Sequence, residues 1–203
     1  MQYAFYFDQS RCMGCNTCTV SCKDWNQVEP GPARLRRLKV TESGAFPNTA
    51  VFNLVMSCNH CANPACLTAC PVGAIYKRSE DGIVLVDRAK CQSLRSCQAR
   101  CPYGGPQFGD DSSEPTPEAG WTVAHPMQKC TLCVDRVAIG KKPACVDSCP
   151  QRALDAGPME ELMAKYPSAQ RVVVGMPEST RDPSGNLLDQ DTMPSILFKP
   201  KSF

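Results

Sequence analysis

Fifteen cysteines in a chain of 203 residues gather into four clumps. The first is Cys12, Cys15, Cys18 and Cys22; the second is Cys58, Cys61, Cys66 and Cys70; the fourth is Cys130, Cys133, Cys145 and Cys149. The third has only Cys91, Cys97 and Cys101, with Leu94 at the place where the frame of the first clump would put a sulfur. That frame, C-x2-C-x2-C-x3-C, is the run through which bacterial thiolates hold iron–sulfur clusters. Four near-repeats of it imply a series of redox centres, and so electron transfer.

Other uses of cysteine fit less well. An odd count and an N-terminus, MQYAFYFDQSRC, without a basic region and apolar stretch argue against a secreted disulfide scaffold. Structural zinc sites combine two separated C-x2-C or Cys/His pairs, whereas three of these clumps end in C-x3-C-P. The 22 basic and 20 acidic residues, net +2, leave no footprint for nucleic acid. Clusters change that sum, since a cubane with its thiolates carries about −2, a 3Fe–4S cluster about the same, and four would bring the total to about −6. No apolar run approaches the roughly 18 residues of a membrane span, so no transmembrane segment is expected. No Ser/His/Asp set, phosphate loop or carboxylate pair stands out, and no catalytic residue is expected.

In two-cluster ferredoxins the first three cysteines of a clump hold one cubane and the fourth crosses to the other. A short loop wraps three corners, while the fourth faces the neighbouring centre. Clumps two and three are contiguous and should pair, which leaves one and four to pair with each other. The assignment is Cys12, Cys15, Cys18 and Cys149 for one 4Fe–4S cluster, and Cys130, Cys133, Cys145 and Cys22 for its neighbour. Cys58, Cys61, Cys66 and Cys101 take a third 4Fe–4S cluster. Cys91, Cys97 and Cys70 remain for the fourth centre. Leucine cannot donate to iron, so Leu94 points to a 3Fe–4S cluster there; an empty site or a substitute ligand are the alternatives the residues leave open.

The elements between the clumps support that pairing. Residues 3–7, Tyr-Ala-Phe-Tyr-Phe, read as a strand leading into clump one, and Val51–Met56 as a strand leading into clump two. AIYKRSEDGIVLVD (74–87) is a hairpin signal around Glu80-Asp81-Gly82. Pro71, Pro102 and Pro150 follow the last cysteine of three clumps and suit a chain turning away; Lys23 stands there in clump one, which predicts a helix continuing through Trp25. The stretch 104–120, rich in Gly, Pro, Ser and acid, should be an exposed irregular loop. Arg152–Gly157 reads as a strand and Met159–Tyr166 as a short helix. The Pro-rich tail from Pro167 to Phe203 cannot make its own core, and should lie across this protein or a partner. The expected fold class is α+β, with two ferredoxin-like modules nested one in the other. The outer module is 1–50 plus 121–157, the inner 51–103, followed by the acidic loop 104–120 and a helix and extended docking tail over 158–203.

The order and spacing of these clumps resemble the iron–sulfur (beta) subunit of the dimethyl sulfoxide reductase family of molybdopterin oxidoreductases. The matching stretches are FDQSRCMGCNTCTVSCKDWN, SCNHCANPACLTACPVGAIYKR, CPYGGPQF and KCTLCVDRVAIGKKPACVDSCPQRALDAG, with a weaker match at TMPSILFKP. The eleven residues between Cys133 and Cys145, VDRVAIGKKPA, are specific, because plain ferredoxins lack them. Leu94 departs from the usual cysteine and is similar to the respiratory nitrate reductase type, where a tryptophan goes with a 3Fe–4S cluster. The acidic loop at 109–120 looks longer than usual for the family. The resemblance implies a subunit that relays electrons between a membrane anchor subunit interacting with quinone and a catalytic subunit carrying a bis-molybdopterin guanine dinucleotide. It implies a place peripheral to the cytoplasmic membrane through those partners. Co-export with a twin-arginine partner favours the periplasmic side and leaves the cytoplasmic side open.

Several residues have plainer readings. His60 and His125 are expected to be structural, hydrogen-bonded to backbone or neighbours. Lys141 and Lys142 read as solvated turn charges, and Arg34, Arg36 and Arg37 as a solvated face. Trp25 and Phe108 read as packing. The rival function is a free soluble polyferredoxin serving several enzymes, against which the long tail argues; a zinc scaffold is the third.

Overall fold

Tyr3–Asp8 forms strand β1, and nearly every residue of it is buried, because elements cover both its faces. The computed structural model describes residues 1–112 and 118–202. β1 is the centre of a three-stranded sheet of order β6-β1-β7. It pairs antiparallel with β6 (Leu154–Pro158), Phe5 opposite Ala156, and parallel with β7 (Ile196–Lys199), Phe5 opposite Ile196. Side chains alternate across a strand, so Phe5 and Phe7 enter the main core, where Phe7 meets Phe198 edge-on at 6.5 Å. Ala4 and Tyr6 face the other way, under Leu162 of helix α6 (Met159–Lys165), and Tyr6 stacks on Tyr166 at 3.6 Å.

The tail therefore lies on this protein's own body. Its Thr192 hydroxyl meets the Tyr103 hydroxyl at 2.8 Å, and Ser195 Oγ donates to the His60 carbonyl at 3.0 Å. Ile196, Leu197 and Phe198 are buried as a strand of the main sheet.

A hairpin of two ten-residue strands, β2 (Arg36–Ala45) and β3 (Asn48–Ser57), is longer than the sequence pattern foretold. The pattern predicts only its second strand, over 51–56; the polar residues of β2 give no strand signal. Its turn end is exposed, with Phe46 in solvent, while its open end, where Arg36 faces Ser57, is buried. Gly44 has φ +86°, and a Cβ there would sit 2.1 Å from the Asn48 carbonyl oxygen, so the turn requires glycine. The shorter hairpin, β4 (Ile75–Lys77) with β5 (Val84–Val86), falls where the sequence placed it. Asp81 fastens its turn by accepting the Ile83 N–H at 3.0 Å.

The loop expected to be exposed over 104–120 begins later. Gly105, Pro106, Phe108 and Gly109 are buried, and Gln107 bridges to Gln128; exposure starts at Asp110. Residues 113–117 of that loop, and Phe203 at the end of the tail, lie outside the described residues. Among the described residues no helix is long and apolar enough to cross a membrane.

Candidate metal centres

Four short helices set the cysteines out in pairs. Helix α1 (Thr17–Trp25) carries Cys18 and Cys22, and continues through Trp25 because Lys23, not proline, follows Cys22. Helix α5 (Ala144–Asp147), packed against α1, carries Cys145 with Cys149 one turn on. Helix α2 (Ala65–Thr68) places Cys66 and then Cys70, and it packs on α3 (Ser96–Arg100), which places Cys97 and then Cys101. Residues four apart share a helix face about one turn apart. Each helix can thus present one sulfur to each of two neighbouring spaces.

Those spaces are visible as cavities. One is lined by Cys12, Cys15, Cys18 and Cys149, with Phe7, Leu38 and Val55 behind them. A second is lined by Cys58, Cys61, Cys66 and Cys101. A third is lined by Cys70, Cys91 and Cys97, with Leu94 and Phe108. The remaining four sulfurs form a set of their own, since Cys22 feels Cys130, Cys145 and Cys133 most strongly among thiols. Helices α1 and α5 each join the Cys12 and Cys22 sets, α2 and α3 each join the Cys58 and Cys70 sets, and Cys130 lies close enough to Cys58 to raise its own pKa. These links order the sets in a row: Cys12's, then Cys22's, then Cys58's, then Cys70's.

The loops repeat as well as the spacings. Gly14 and Asn16 of clump one have φ of 75° and 60°, and their counterparts Ser93 and Arg95 of clump three have 52° and 60°. Leu94, 56% exposed, lies between the two as Cys15 does in its own loop. The clump-three loop thus keeps its left-handed turns without the fourth sulfur. After Cys70, Cys101 and Cys149 the pattern is Cys-Pro-x-x-Ala/Gly. In each, the N–H four residues on donates to the cysteine sulfur at 3.3 Å: Ala74, Gly105 and Ala153. Gly105 also lets the backbone close on Cys58, whose Cα would lie 3.3 Å from an added Cβ. In clump one the helix uses the N–H of Asn26, and the Asn26 side-chain amide reaches Cys22 Sγ instead, at 3.7 Å.

A 4Fe–4S dicluster domain family matches residues 49–159. Over 209 residues the protein is 40% identical to the B component of the anaerobic dimethyl sulfoxide reductase of Escherichia coli K12, across 99% of its own length and 90% of that relative. It is 34% identical to the B component of the sulfite dehydrogenase of Allochromatium vinosum, across 92% of its own length and 82% of that relative. It is 37% identical to the protein NrfC homolog of Haemophilus influenzae, across 79% of its own length and 66% of that relative. This protein belongs to the iron–sulfur subunit family of the dimethyl sulfoxide reductases.

The chemistry of the donor set in this iron–sulfur subunit fits clusters. Burial raises the thiol pKa of Cys130 to about 11; it does the same, to about 11, for Cys101, aided by Cys58, and for Cys97, aided by Cys91 and Cys70. Cys22 and Cys66 are pushed higher still, again chiefly by burial. Cys15 goes the other way, because Thr17 Oγ1 bonds its sulfur at 3.3 Å. Thiols packed this way resist ionising beside one another, and only a bound cation makes the thiolate form the stable one. Among the described residues no group of three or more His, Cys, Asp or Glu converges to hold a single metal ion. The sulfurs ring spaces, as a multi-iron cage requires.

Among the subunit's basic residues Arg34, Lys141 and Lys142 are exposed, as the sequence reading has them, while Arg36 and Arg37 depart from it. Arg36 is 1% exposed, lies 4.5 Å over the Phe5 ring and donates to Ser57 Oγ at 3.2 Å, so it is no part of a solvated face. Arg37 is half-buried and donates to the Tyr103 and Gly104 carbonyls. Buried Lys129 donates to the carbonyls of Val84 and of Cys130, and Lys77 to those of Cys61 and Ala62. Lys142 is tied to Asp155 at 2.9 Å. A run of Arg among polar residues is the commoner signature of a surface strand; the signal for Arg36 was its place at the start of a strand whose partner ends against clump two. His60 is buried with its Nδ1 accepting the Val84 N–H at 3.1 Å, and burial with the Lys129 charge keeps it neutral. Trp25 donates to Asp135 at 2.8 Å under Arg136, joining α1 to the insertion of clump four.

Proposed function

We propose that this protein is the non-catalytic electron-transfer subunit of a multi-subunit molybdopterin oxidoreductase, relaying electrons between a membrane quinone-interacting subunit and the catalytic subunit. Cys12, Cys15, Cys18 and Cys149 would hold one 4Fe–4S cluster, Cys130, Cys133, Cys145 and Cys22 a second, and Cys58, Cys61, Cys66 and Cys101 a third. Cys91, Cys97 and Cys70 would hold a 3Fe–4S cluster, with Leu94 in place of a ligand. Clusters in those places would take and give single electrons. The observation that carries the reading is the four sulfur sets, three of them lining cavities, with neighbouring sets sharing helices.

The protein's own residues fix and insulate those places. Phe7, Leu38 and Val55 line the inner side of the first space with apolar surface, and Phe108 backs the last. The backbone N–H groups of Ala74, Gly105 and Ala153 would place positive dipole on ligand sulfur, which favours the reduced form. The same sets support nested modules, with clumps one and four in an outer unit, 1–50 with 121–157, and clumps two and three in an inner one, 51–103.

The tail no longer argues for a partner, because it packs on β1. The exposed apolar side chains of Met13 and Val20 do, Met13 lining the space of Cys15 at one end of the row. Size-exclusion of native anaerobic extract is the test. The expected result is co-elution with a molybdenum-containing polypeptide; a lone brown species near 22.1 kDa would support the free polyferredoxin. A membrane-associated complex on either side is compatible with the reading, and fractionation with protease access would assign the periplasmic or cytoplasmic side.

A further inference from the structure

Arg36 is the largest fully buried side chain of the described residues, and it carries a charge. Its place follows from the hairpin: β2 enters the core at its open end, where Arg36 is opposite Ser57, the residue before Cys58. The packing of α1 on β2 brings the guanidinium beside Cys18 and Cys22. Its Nη2 donates to Ser57 Oγ at 3.2 Å, Phe5 lies under its plane, and its Nε meets no acceptor among the described residues. One hydroxyl and one ring do not balance a buried guanidinium, since an unpaired charge in the interior costs several kcal/mol. The Phe5 ring beneath it shares a buried core cluster with Cys18, Cys130 and Cys145, and the guanidinium couples to the sulfurs of Cys145, Cys130, Cys18 and Cys22. Three of those sulfurs belong to the set of Cys22 and one to the set of Cys12.

We infer that Arg36 is the shared counter-charge of the two adjoining centres of clumps one and four, a positioning residue that holds both of their reduction potentials up. The inference rests on the cluster assignment proposed above. Each centre gains an electron on reduction, so a fixed positive charge in a dry setting stabilises the reduced form. Net charge near a cluster is one of the levers on its potential. The row then has a built-in bias: two centres share a buried guanidinium, while the centre beside Leu94 lies furthest along from it.

Redox titration followed by EPR on the anaerobically purified subunit in its native complex tests this, with Arg36→Gln and Arg36→Lys beside the wild type. The expected result for Arg36→Gln is at least a tenfold fall in the reduction equilibrium constant of two 4Fe–4S centres, about 59 mV for one electron. The centre at Leu94 should stay unchanged, and Arg36→Lys should lose less than half as much. Arg36→Gln with full iron and all four potentials unmoved overturns the inference. If Arg36→Gln instead fails to retain two of its centres, iron content decides. Restoration by Arg36→Lys supports a need for charge; failure in both variants overturns the inference, because shape rather than charge is then what the site needs. Iron and sulfide in the wild type separate this outcome from a failure of the cluster assignment itself.

Discussion

Leu94 is the side chain that would decide the type of one centre. Its loop keeps the left-handed residues of clump one, Ser93 and Arg95 for Gly14 and Asn16, so the frame for a fourth ligand is present and only the sulfur is missing. Replacing it, Leu94→Cys, should raise iron from about 15 to about 16 per polypeptide and remove the EPR signal of the oxidised 3Fe–4S centre. An unchanged signal with unchanged iron would mean that Leu94 does not control the type of this centre. A second residue-scale prediction concerns Asp155, 6% exposed. Burial opposes its ionisation, but bonds from Lys165, Lys142 and Tyr166 win and hold its pKa at about 2. A carboxylate depressed in the folded state stabilises it fully above the unfolded value, and loses that contribution as pH falls through the folded one. Asp155→Asn should therefore cost roughly 2 kcal/mol, equally at pH 5 and pH 7, in anaerobic denaturant titrations. A difference between those two pH values would assign the effect to some other group.

At the scale of elements, the sequence was most legible where chemistry constrains spacing. The strands at 3–7 and 154–157, the hairpin at 74–87 and the run of α1 through Trp25 all follow from residues that lead to or from a clump. Clump two and clump four even share Pro-Ala-Cys-x-x-x-Cys-Pro, the sequence of two matching helices, α2 and α5. Legibility failed where long-range packing decided. β2 has Arg36, Arg37, Lys39 and Glu42 among its apolar residues, and its partner in β3 rather than its own pattern makes it a strand. β7 is four residues in a polar tail, too short to signal by itself, and it exists because β1 offers a free edge. Phe198, fully buried there, gives a direct check. Phe198→Ala should destabilise the protein by about 3–5 kcal/mol, seen as a lower midpoint in anaerobic denaturant unfolding. A loss below about 1 kcal/mol would mean that the tail is not a working part of the core.

Across the whole molecule, much of what would be an apolar interior is sulfur. Fourteen of the fifteen cysteines are buried or half-buried, and the largest core cluster contains seven of them. Burial raises the pKa of several of these thiols, Cys22, Cys66 and Cys130 among them, and the buried guanidinium of Arg36 couples to four of the sulfurs. Iron bound through these cysteines would balance such an interior, so metal and fold should be gained and lost together. Chelation of iron under reducing conditions should accordingly abolish most of the far-UV dichroism. Clusters would also turn a polypeptide of net +2 into an acidic one.

An electron relay through this protein depends on how many cages those sulfurs hold. Iron and acid-labile sulfide, assayed per polypeptide on anaerobically purified protein and paired with EPR spin counting, measure this directly. The expected values are about 15 irons and about 16 sulfides, with one 3Fe–4S signal when oxidised and three 4Fe–4S signals when reduced. Material that holds no more than two clusters after anaerobic preparation would contradict it.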